Sequence, residues 1–329
     1  MNFRNPVCAI AVAVVAGTIS ARASSWLSEY HLIVSGELTK VSEVEGRAVI
    51  GNLAYGNSFN VGVNYSSAPS QINFAIAGSI VGGNALQLNS GSVYVPAGAT
   101  QSGNQVTLSG GRLLNLNGGG SLQTGAPAFD FPSVFSGIAA ESAHYDTFAA
   151  NSTLTLPTGQ PGAATFEVGT SLGSDNVAVF NLSATEAATL FNSSLVQQID
   201  LDLNGTSPAA VLINVDGSAI SYIAGGNFVG SFIGTSATGK VLWNFTEATS
   251  ISMNKSFYGA VLAPNATLSS TAGALEGAVA VKNLSADVEV HPPLFSGTLP
   301  TVAVVPEGLT YAAGIAVLGL VGWLRLRRR

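Results

Sequence analysis

The stretch YHLIVSGELTKVSEVEGRAVIGNLAYGNSFNVG, from Tyr30 to Gly62, places three short apolar runs between polar turns. The runs lie in YHLIVSG, RAVIGN and FNVGVN, and Gly, Asn or Ser bounds each of them. Short β-prone runs with turn residues at such close intervals predict short strands joined by tight corners. Turns this frequent favour the stacked coils of a β-solenoid over a sandwich, whose strands are longer.

The same pattern extends over most of the chain. Within GKVLWNF, Val241, Trp243 and Phe245 alternate onto one side of a strand, so we expect them in a core. The sequence therefore predicts an all-β fold, a β-solenoid that resembles a right-handed β-helix. Further segments of this kind are INFAIAGSIVGGN, GSVYVPAG, QQIDLDLNG, AAVLINVDG and FYGAVLAPNATL.

One segment has a helical pattern instead. In FDFPSVFSGIAAESAHYDTFAAN, from Phe129 to Asn151, apolar residues recur at helical spacing, and Pro132 suits a first turn. We predict one α-helix from about Pro132 to Ala150, packed alongside the solenoid by its apolar face. A shorter helix is predicted in SATEAATLFN, where Ser183 and Glu186 form the signature of a capping box.

The N-terminus has the anatomy of a secretory signal peptide. Arg4 supplies a positive charge, an apolar stretch follows, and Ala21-Arg22-Ala23 is a small-x-small cleavage signature. Residues 1–23 are therefore predicted to be removed, with Ala21 and Ala23 as the cleavage residues. The single cysteine, Cys8, lies inside this segment, so we expect no disulfide and no cysteine-ligated metal in the mature chain.

At the other end, an apolar run from Leu309 to Leu324 precedes a cluster of arginines. As a helix, this run spans about 24 Å, close to the thickness of the hydrocarbon core. We predict a transmembrane helix at 309–324, after an exported domain at 24–300 and a linker at 301–308. By the positive-inside rule, residues 325–329 hold the end in the cytoplasm through Arg325, Arg327, Arg328 and Arg329.

The net charge of the exported part limits the classes of molecule that it can bind. Residues 24–305 contain six basic and seventeen acidic side chains, a net charge of −11, against −6 for the whole chain. Such a surface does not attract nucleic acid or anionic lipid. Only 9% of the chain is charged and 47% is hydrophobic, which is enough for a core and unlike a disordered chain.

No catalytic, cofactor-binding or metal-binding constellation emerges from the motifs, and no cofactor is expected. The three mature histidines, His31, His144 and His291, are far apart in sequence and lack metal-binding spacing. DLDLNG opens like a calcium loop, but Val211 occupies the twelfth position, where the loop needs a bidentate Glu, so a strand and turn are expected there. The loop candidates are Asp200, Asp202, Asn204 and Gly205.

Two further patterns bear on function. Clustered carboxylates on stacked coils would support cleavage of polysaccharides by a hydrolase or a lyase. The sequence leaves open whether five acids meet in space. Regular Thr-x-Thr ladders would indicate an ice-ordering face, and TLTL, from Thr153 to Leu156, is a single instance rather than a ladder. The five acids are Asp200, Asp202, Asp216, Glu276 and Glu289.

The C-terminal tail resembles a PEP-CTERM sorting signal. The motif Val305-Pro306-Glu307 precedes the apolar run and the arginines, although Gly308 replaces the second proline of the usual motif. The resemblance implies recognition by an exosortase, a membrane transpeptidase of Gram-negative bacteria that removes the helix after export. It also implies only transient anchoring in the inner membrane.

The exported part resembles the choice-of-anchor A family of bacterial surface proteins. One matching block is Tyr30–Gly62, with the core VEGRAVIGN, and the other runs from Val241 to Leu284 and on into EVHPPLFSGTLP. The family is regarded as adhesins with a β-solenoid fold. The second block is also similar to ice-binding solenoids, which carry a helix alongside the β-helix. From these blocks we expect Gly46, Gly51, Gly259 and Gly277 at corners or close approaches, and Trp243, Phe245, Phe257 and Leu262 in the core.

These features predict a non-enzymatic protein of the cell surface or extracellular matrix that adheres to polysaccharide, to cells or to the matrix itself. The export signal, the sorting tail and the polar, weakly charged composition motivate this hypothesis. An enzyme acting on exopolysaccharide, built on a β-helix, is the first alternative, and an ice-binding solenoid is the second.

Overall fold

A computed structural model describes residues 25–126 and 128–300. Its helices are α1 (Phe131–Tyr145), α2 (Ala184–Asn192) and α3 (Thr235–Thr238). In chain order, the strands are β1 (Leu32–Lys40), β2 (Glu43–Val44), β3 (Ala48–Leu53), β4 (Asn60–Val61), β5 (Ile72–Ile76), β6 (Leu86–Leu88), β7 (Ser92–Tyr94), β8 (Thr100–Ser102), β9 (Gln105–Thr107), β10 (Leu113–Leu116), β11 (Leu122–Gln123), β12 (Thr153–Thr155), β13 (Gly162–Glu167), β14 (Val177–Leu182), β15 (Val196–Asp202), β16 (Ala210–Val215), β17 (Ala219–Tyr222), β18 (Asn227–Phe228), β19 (Val241–Asn244), β20 (Ser250–Met253), β21 (Phe257–Tyr258), β22 (Ala260–Ser270), β23 (Leu275–Glu276), β24 (Val279–Ala286) and β25 (Glu289–His291).

These strands form three sheets in which nearly all pairs are parallel. The largest has the order β11-β7-β5-β3-β1-β24-β22-β19-β16-β14, with β17 and β20 attached beside β22. The second has the order β21-β23-β25-β2-β4-β6-β10-β9-β8, and the third β12-β13-β15-β18. Large parallel sheets with few helices agree with the predicted all-β, solenoid-like fold.

Each coil passes over three faces. Strand β22 crosses two of them, because its pairing with β24 shifts register between Ala263 and Thr267, and β23 follows on the third face. The first face contains Ala260–Ala263 and the second face contains Thr267–Ser270. The short strands predicted from the sequence are the sides of these coils, and the turn residues lie at the corners.

The coils are not stacked in the order of the chain. Strand β1 lies between β3 and β24, so the first coil is in the middle of the stack and the last coil packs against it. The N-terminal half extends from β1 toward β11, and the C-terminal half approaches from the other end and closes on β1. We call the junction of β1 and β2 with β24 and β25 the seam.

The buried residues form two layers. The interior of the coils is filled by aliphatic and aromatic side chains, among them Trp243, Phe245 and Phe257 at 1% exposure or less, as predicted. The second layer lies between the outer side of the first face and α1, where Ile138 packs near Leu262. Helix α1 covers the first face, whereas outward residues of the second and third faces, such as Ser252, Thr267 and Glu289, are exposed.

The helices match the sequence signals closely. Helix α1 begins one residue before Pro132, with Asp130 as its N-cap, and ends at Tyr145 rather than Ala150. At this end, the carbonyls of Tyr145 and Phe148 accept hydrogen bonds from the side-chain amides of Asn214 and Asn181. These bonds replace the backbone bonds that a longer helix would make. Besides α1, the structure contains the shorter predicted helix as α2 and a third helix, α3, which the sequence did not predict.

Helix α2 has the capping box predicted for Ser183 and Glu186. Within the described ranges, none of the helices has the length and apolarity that crossing a bilayer requires. The predicted signal peptide (1–23), sorting motif (305–307), transmembrane helix (309–324) and arginine cluster (325–329) lie outside the described residues.

The glycines of the resemblance lie at close approaches, as expected. A Cβ on Gly46 would lie 1.9 Å from Nδ1 of His31, and one on Gly51 would lie 2.5 Å from the backbone oxygens of Ser35 and Gly36. These contacts leave no room for a side chain, so the first two coils stack tightly at these points.

Candidate functional site

The five candidate carboxylates are distributed over different faces. Glu276 and Glu289 come together on the third face, whereas Asp200 and Asp202 lie on β15 of the small sheet. Asp216 follows β16, and burial raises its pKa, together with the negative charges of Glu247, Asp146 and Glu186. The five acids therefore do not form one catalytic group.

The two acids that meet do so through a histidine. Nδ1 of His291 lies 3.1 Å from Oε1 of Glu276, and Nε2 lies 2.8 Å from Oε2 of Glu289. Glu45 approaches Nε2 at 3.6 Å. Sequence reasoning missed His291 as the centre of an acidic group, because its partners come from three different coils.

The calcium-loop candidates form a strand and a turn, as expected. The backbone N–H of Asn204 donates to Oδ1 of Asp202 at 2.8 Å, and Asn204 and Gly205 both have positive φ. In the part of the chain that the structure describes, no group of three or more His, Cys, Asp or Glu side chains could hold a metal ion.

The other two histidines pack against aromatic side chains. His31 is 4% exposed, its ring packs edge-on against Tyr65, and burial with the nearby Arg47 charge lowers its pKa to about 4. His144 on α1 packs edge-on against Phe148, with ring centroids 5.0 Å apart. Neither lies in the acidic group of the third face.

The second face presents a regular array of small polar side chains. Strands β17, β20, β22 and β24 stack in register, so that Ile220, Ile251, Leu268 and Leu284 form a buried column. The residues on either side of this column point outward. We name these eight residues the serine face: Ala219, Ser221, Ser250, Ser252, Thr267, Ser269, Asn283 and Ser285.

The serine face carries no formal charge and has a rigid backing. Parallel strands are about 4.8 Å apart and alternate residues about 6.6 Å, so the hydroxyls form a rectangular grid. The column of aliphatic residues continues beneath β1 and beyond through Leu38, Leu53 and Ile80, which extends the second face to about 29 Å over seven rungs.

Hydrogen bonds along the stack hold the polar side chains of the second face in place. Nδ2 of Asn283 donates to Oγ1 of Thr267 at 3.1 Å, and its Oδ1 accepts from the backbone N–H of Glu37 at 2.9 Å. Farther along, Oδ1 of Asn52 accepts from the backbone and the hydroxyl of Ser79. Asn283 and Thr267 of the serine face are therefore held in place before any ligand arrives.

Comparison with known families agrees with this geometry. A family model described as "Putative Ice-binding-like adhesive domain" matches residues 23–292, most of the chain. The chain belongs to this family. No curated protein and no solved structure matches it. The assignment supports an adhesin-like protein that acts at the cell surface or outside the cell.

In this ice-binding-like adhesive domain, sequence reasoning missed the serine face. TLTL, the one Thr-x-Thr instance, lies on β12 of the small sheet instead. The signal that marks the face is a small residue, an aliphatic residue and a serine in AIS, SIS, TLS and NLS. A search restricted to threonine does not find it.

Proposed function

We propose that this protein is an exported, non-enzymatic adhesin that attaches to polysaccharide, cells or matrix through its serine face. The observation that carries the proposal is the regularly spaced, uncharged grid of hydroxyls above a buried aliphatic column. Membership of an adhesive-domain family supports it. The sequence supports delivery by the signal peptide, membership of the choice-of-anchor A group and processing by an exosortase at Val305-Pro306-Glu307.

The chemistry of the serine face suits a neutral polymer rich in hydroxyl groups. A serine hydroxyl both donates and accepts a hydrogen bond, so each rung can engage a ligand hydroxyl in either sense. One such bond contributes only about 1 kcal/mol, but repeated contacts on one rigid surface add avidity. Because Asn283 and Thr267 are already held by hydrogen bonds, less entropy is lost when they bind a ligand.

Binding of the purified full-length protein to polysaccharide from the matrix of its native cells tests this proposal. Ser252→Arg and Thr267→Arg place a bulky cation on exposed positions of the face, and we expect each to weaken binding at least tenfold. Gln198→Arg is the matched control, since it adds the same side chain at an exposed position of β15. Unchanged binding by both serine-face variants would show that this face is not the adhesive surface.

The non-enzymatic part of the proposal has its own test. The length of the polysaccharide is expected to stay constant during long incubation with the protein. Cleavage that Glu276→Gln and Glu289→Gln abolish would instead establish the enzymatic alternative on the third face. In cells, deletion of the gene is expected to reduce attachment or change the composition of the matrix.

Ordering of ice is a second candidate function, favoured by the regular spacing of the same hydroxyl grid. It predicts thermal hysteresis in solutions of the full-length protein, lost in Ser252→Arg and retained in Gln198→Arg. Absence of hysteresis in the unmodified protein would eliminate this candidate and leave adhesion to polysaccharide in place.

A further inference from the structure

The seam joins the two halves of the solenoid. On one side are β1 and β2 of the first coil, and on the other are β24 and β25 of the last coil. Backbone pairing alone places Glu43 directly opposite Glu289. Like charges at such positions repel each other, so the seam needs a compensating cation on the third face.

His291 on β25 is placed to supply that cation. It contacts Glu289 on its own strand, Glu276 on β23 and Glu45 just after β2, at the distances given above. Glu43 accepts a hydrogen bond from Nδ2 of Asn60 at 3.2 Å. No lysine or arginine in the described ranges forms an ion pair with any of these four carboxylates.

Tyr258 and Glu43 are the other titratable groups near His291. Tyr258 on β21 pairs with Glu276, and burial, together with the charge of Glu276, raises the pKa of the Tyr258 hydroxyl. Burial, Glu289 and Glu45 raise the pKa of Glu43, against the effect of its bond to Asn60. The cluster therefore contains four carboxylates, one phenol and one imidazole.

We propose that His291 is a pH-sensitive fastener of the seam, which strengthens the closure of the solenoid at mildly acidic pH and releases it as the pH rises. Protonated His291 bridges the carboxylate of Glu45 on the first coil to those of Glu276 and Glu289 on the last two. Neutral His291 leaves Glu43 and Glu289 facing each other across the seam without a counter-charge.

The direction of the effect follows from the surroundings of the imidazole. Partial burial lowers the pKa of His291, but the bonds to Glu289 and Glu276 and the charges of Glu276 and Glu45 outweigh it, so the net pKa is raised. A raised pKa in the folded state means that the stabilisation is fully present below the ordinary value of 6.5. It is lost as the pH rises through the folded value.

A second ion pair on the same seam provides a matched control. Nζ of Lys40 lies 2.8 Å from Oδ2 of Asp287, which links β1 to the turn after β24. Lysine and aspartate do not change charge between pH 5.5 and 9, so this pair fastens the seam independently of pH in that range.

Thermal unfolding of the full-length protein, His291→Gln and Lys40→Gln from pH 5.5 to 9 tests the proposal. We expect His291→Gln to lower Tm by about 2 °C at pH 5.5 and to match the unmodified protein at pH 9. Any decrease in Tm caused by Lys40→Gln should be the same at every pH from 5.5 to 9. A His291→Gln deficit that does not change with pH would overturn the proposal.

Titration of the histidine Cε1–H signals by NMR gives a second readout that does not depend on a variant folding well. His31 serves as an internal reference, because its pKa is lowered to about 4. The His291 signal should titrate above 6.5 and move toward 6.5 in Glu289→Gln. Titration of His291 at or below 6.5 in the unmodified protein would contradict the fastener.

The fastener also bears on adhesion. Asn283 and Ser285 of the serine face lie on β24, at the seam. Loosening the seam therefore separates the serine face from its extension on β1 and the strands that follow. Weaker binding at pH 9 than at pH 5.5 is expected from this. That consequence rests on the proposed function, whereas the Tm and NMR results do not, so the two can fail separately.

Discussion

Ser142 and Asn244 hold each other by two reciprocal hydrogen bonds. The hydroxyl of Ser142 on α1 donates to Oδ1 of Asn244 at 2.6 Å, and Nδ2 of Asn244 donates back to the carbonyl of Ser142 at 3.0 Å. Asn244 also donates to Asn214 on the next strand, which donates to Asn181 on the one after. This asparagine ladder fixes the end of α1 across three coils of the first face.

Replacing Asn244 should therefore loosen the helix from the solenoid. Asn244 is fully buried, and Asn244→Ala leaves the hydroxyl of Ser142 and Oδ1 of Asn214 without this partner. We expect a loss of about 3 kcal/mol in the free energy of unfolding. Urea unfolding followed by circular dichroism measures it.

Asn265 is the control for this prediction. It is an exposed residue on β22, and its side chain donates to the carbonyl of Thr246 at the surface. Asn265→Ala should cost less than about 0.5 kcal/mol. If the two variants lose the same stability, the ladder is not what anchors α1.

Arg112 is a buried cation that links neighbouring coils in the N-terminal half of the solenoid. The side chain is 1% exposed, and its guanidinium donates to the backbone carbonyls of Asn84 at 3.0 Å, Asn57 at 2.6 Å and Tyr55. One cation therefore serves the loops of two neighbouring coils. Burial lowers its pKa, but a guanidinium stays charged.

Arg112→Met should destabilise the protein by about 3 kcal/mol, because several buried carbonyls lose their donor at once. Arg112→Lys keeps the charge but lacks the planar fork, so an intermediate loss is expected. Urea unfolding at neutral pH distinguishes the two, with Lys282→Met, at an exposed position, as the surface control. Full stability of Arg112→Lys would show that charge alone suffices.

Local signals made α1, α2 and several of the strands predictable. Pro132 at the start of α1 and the Ser183–Glu186 capping box of α2 act over three or four residues, and the sequence shows them directly. Alternation around Trp243 likewise placed its strand in the core. Such features depend only on neighbours along the chain.

The stacking order and the serine face depend on residues far apart in sequence. Equivalent serines occur at positions 221, 252, 269 and 285, so the length of the coils varies and no fixed period reveals the column. The placement of β1 between β3 and β24 follows from long-range packing that no local pattern encodes. For the same reason, the acids around His291 were not recognised as a group.

The sorting tail yields a prediction that depends on the sequence alone. If an exosortase recognises Val305-Pro306-Glu307, then Pro306→Ala combined with Glu307→Ala should retain the C-terminal segment and hold the protein in the membrane fraction. Intact mass spectrometry of protein recovered from native cells measures this. Ser296→Ala, outside the motif, is the control. Identical processing of the double variant would favour a plain anchor.

His31 should make the protein sensitive to acid. Its folded pKa of about 4 lies below the ordinary 6.5, so the unfolded chain binds the proton first and stability falls as the pH drops from 6.5 to 4. The difference between 6.5 and about 4 corresponds to a loss of about 3 kcal/mol at this buried site. The cause is burial, together with the charge of Arg47, and Gly46 closes one side of the ring.

His31→Phe keeps an aromatic ring in this space but has nothing to protonate. Urea unfolding at pH 7, 5.5 and 4 should show that the variant loses less stability between pH 7 and pH 4 than the unmodified protein does, even if it is less stable at pH 7. His144→Phe, on α1, controls for the loss of a histidine elsewhere. The contribution of His291 changes above pH 6.5 and that of His31 below it, so the two do not overlap. Equal acid slopes in His31→Phe and the unmodified protein would mean that His31 binds its proton at the same pH in the folded and the unfolded chain.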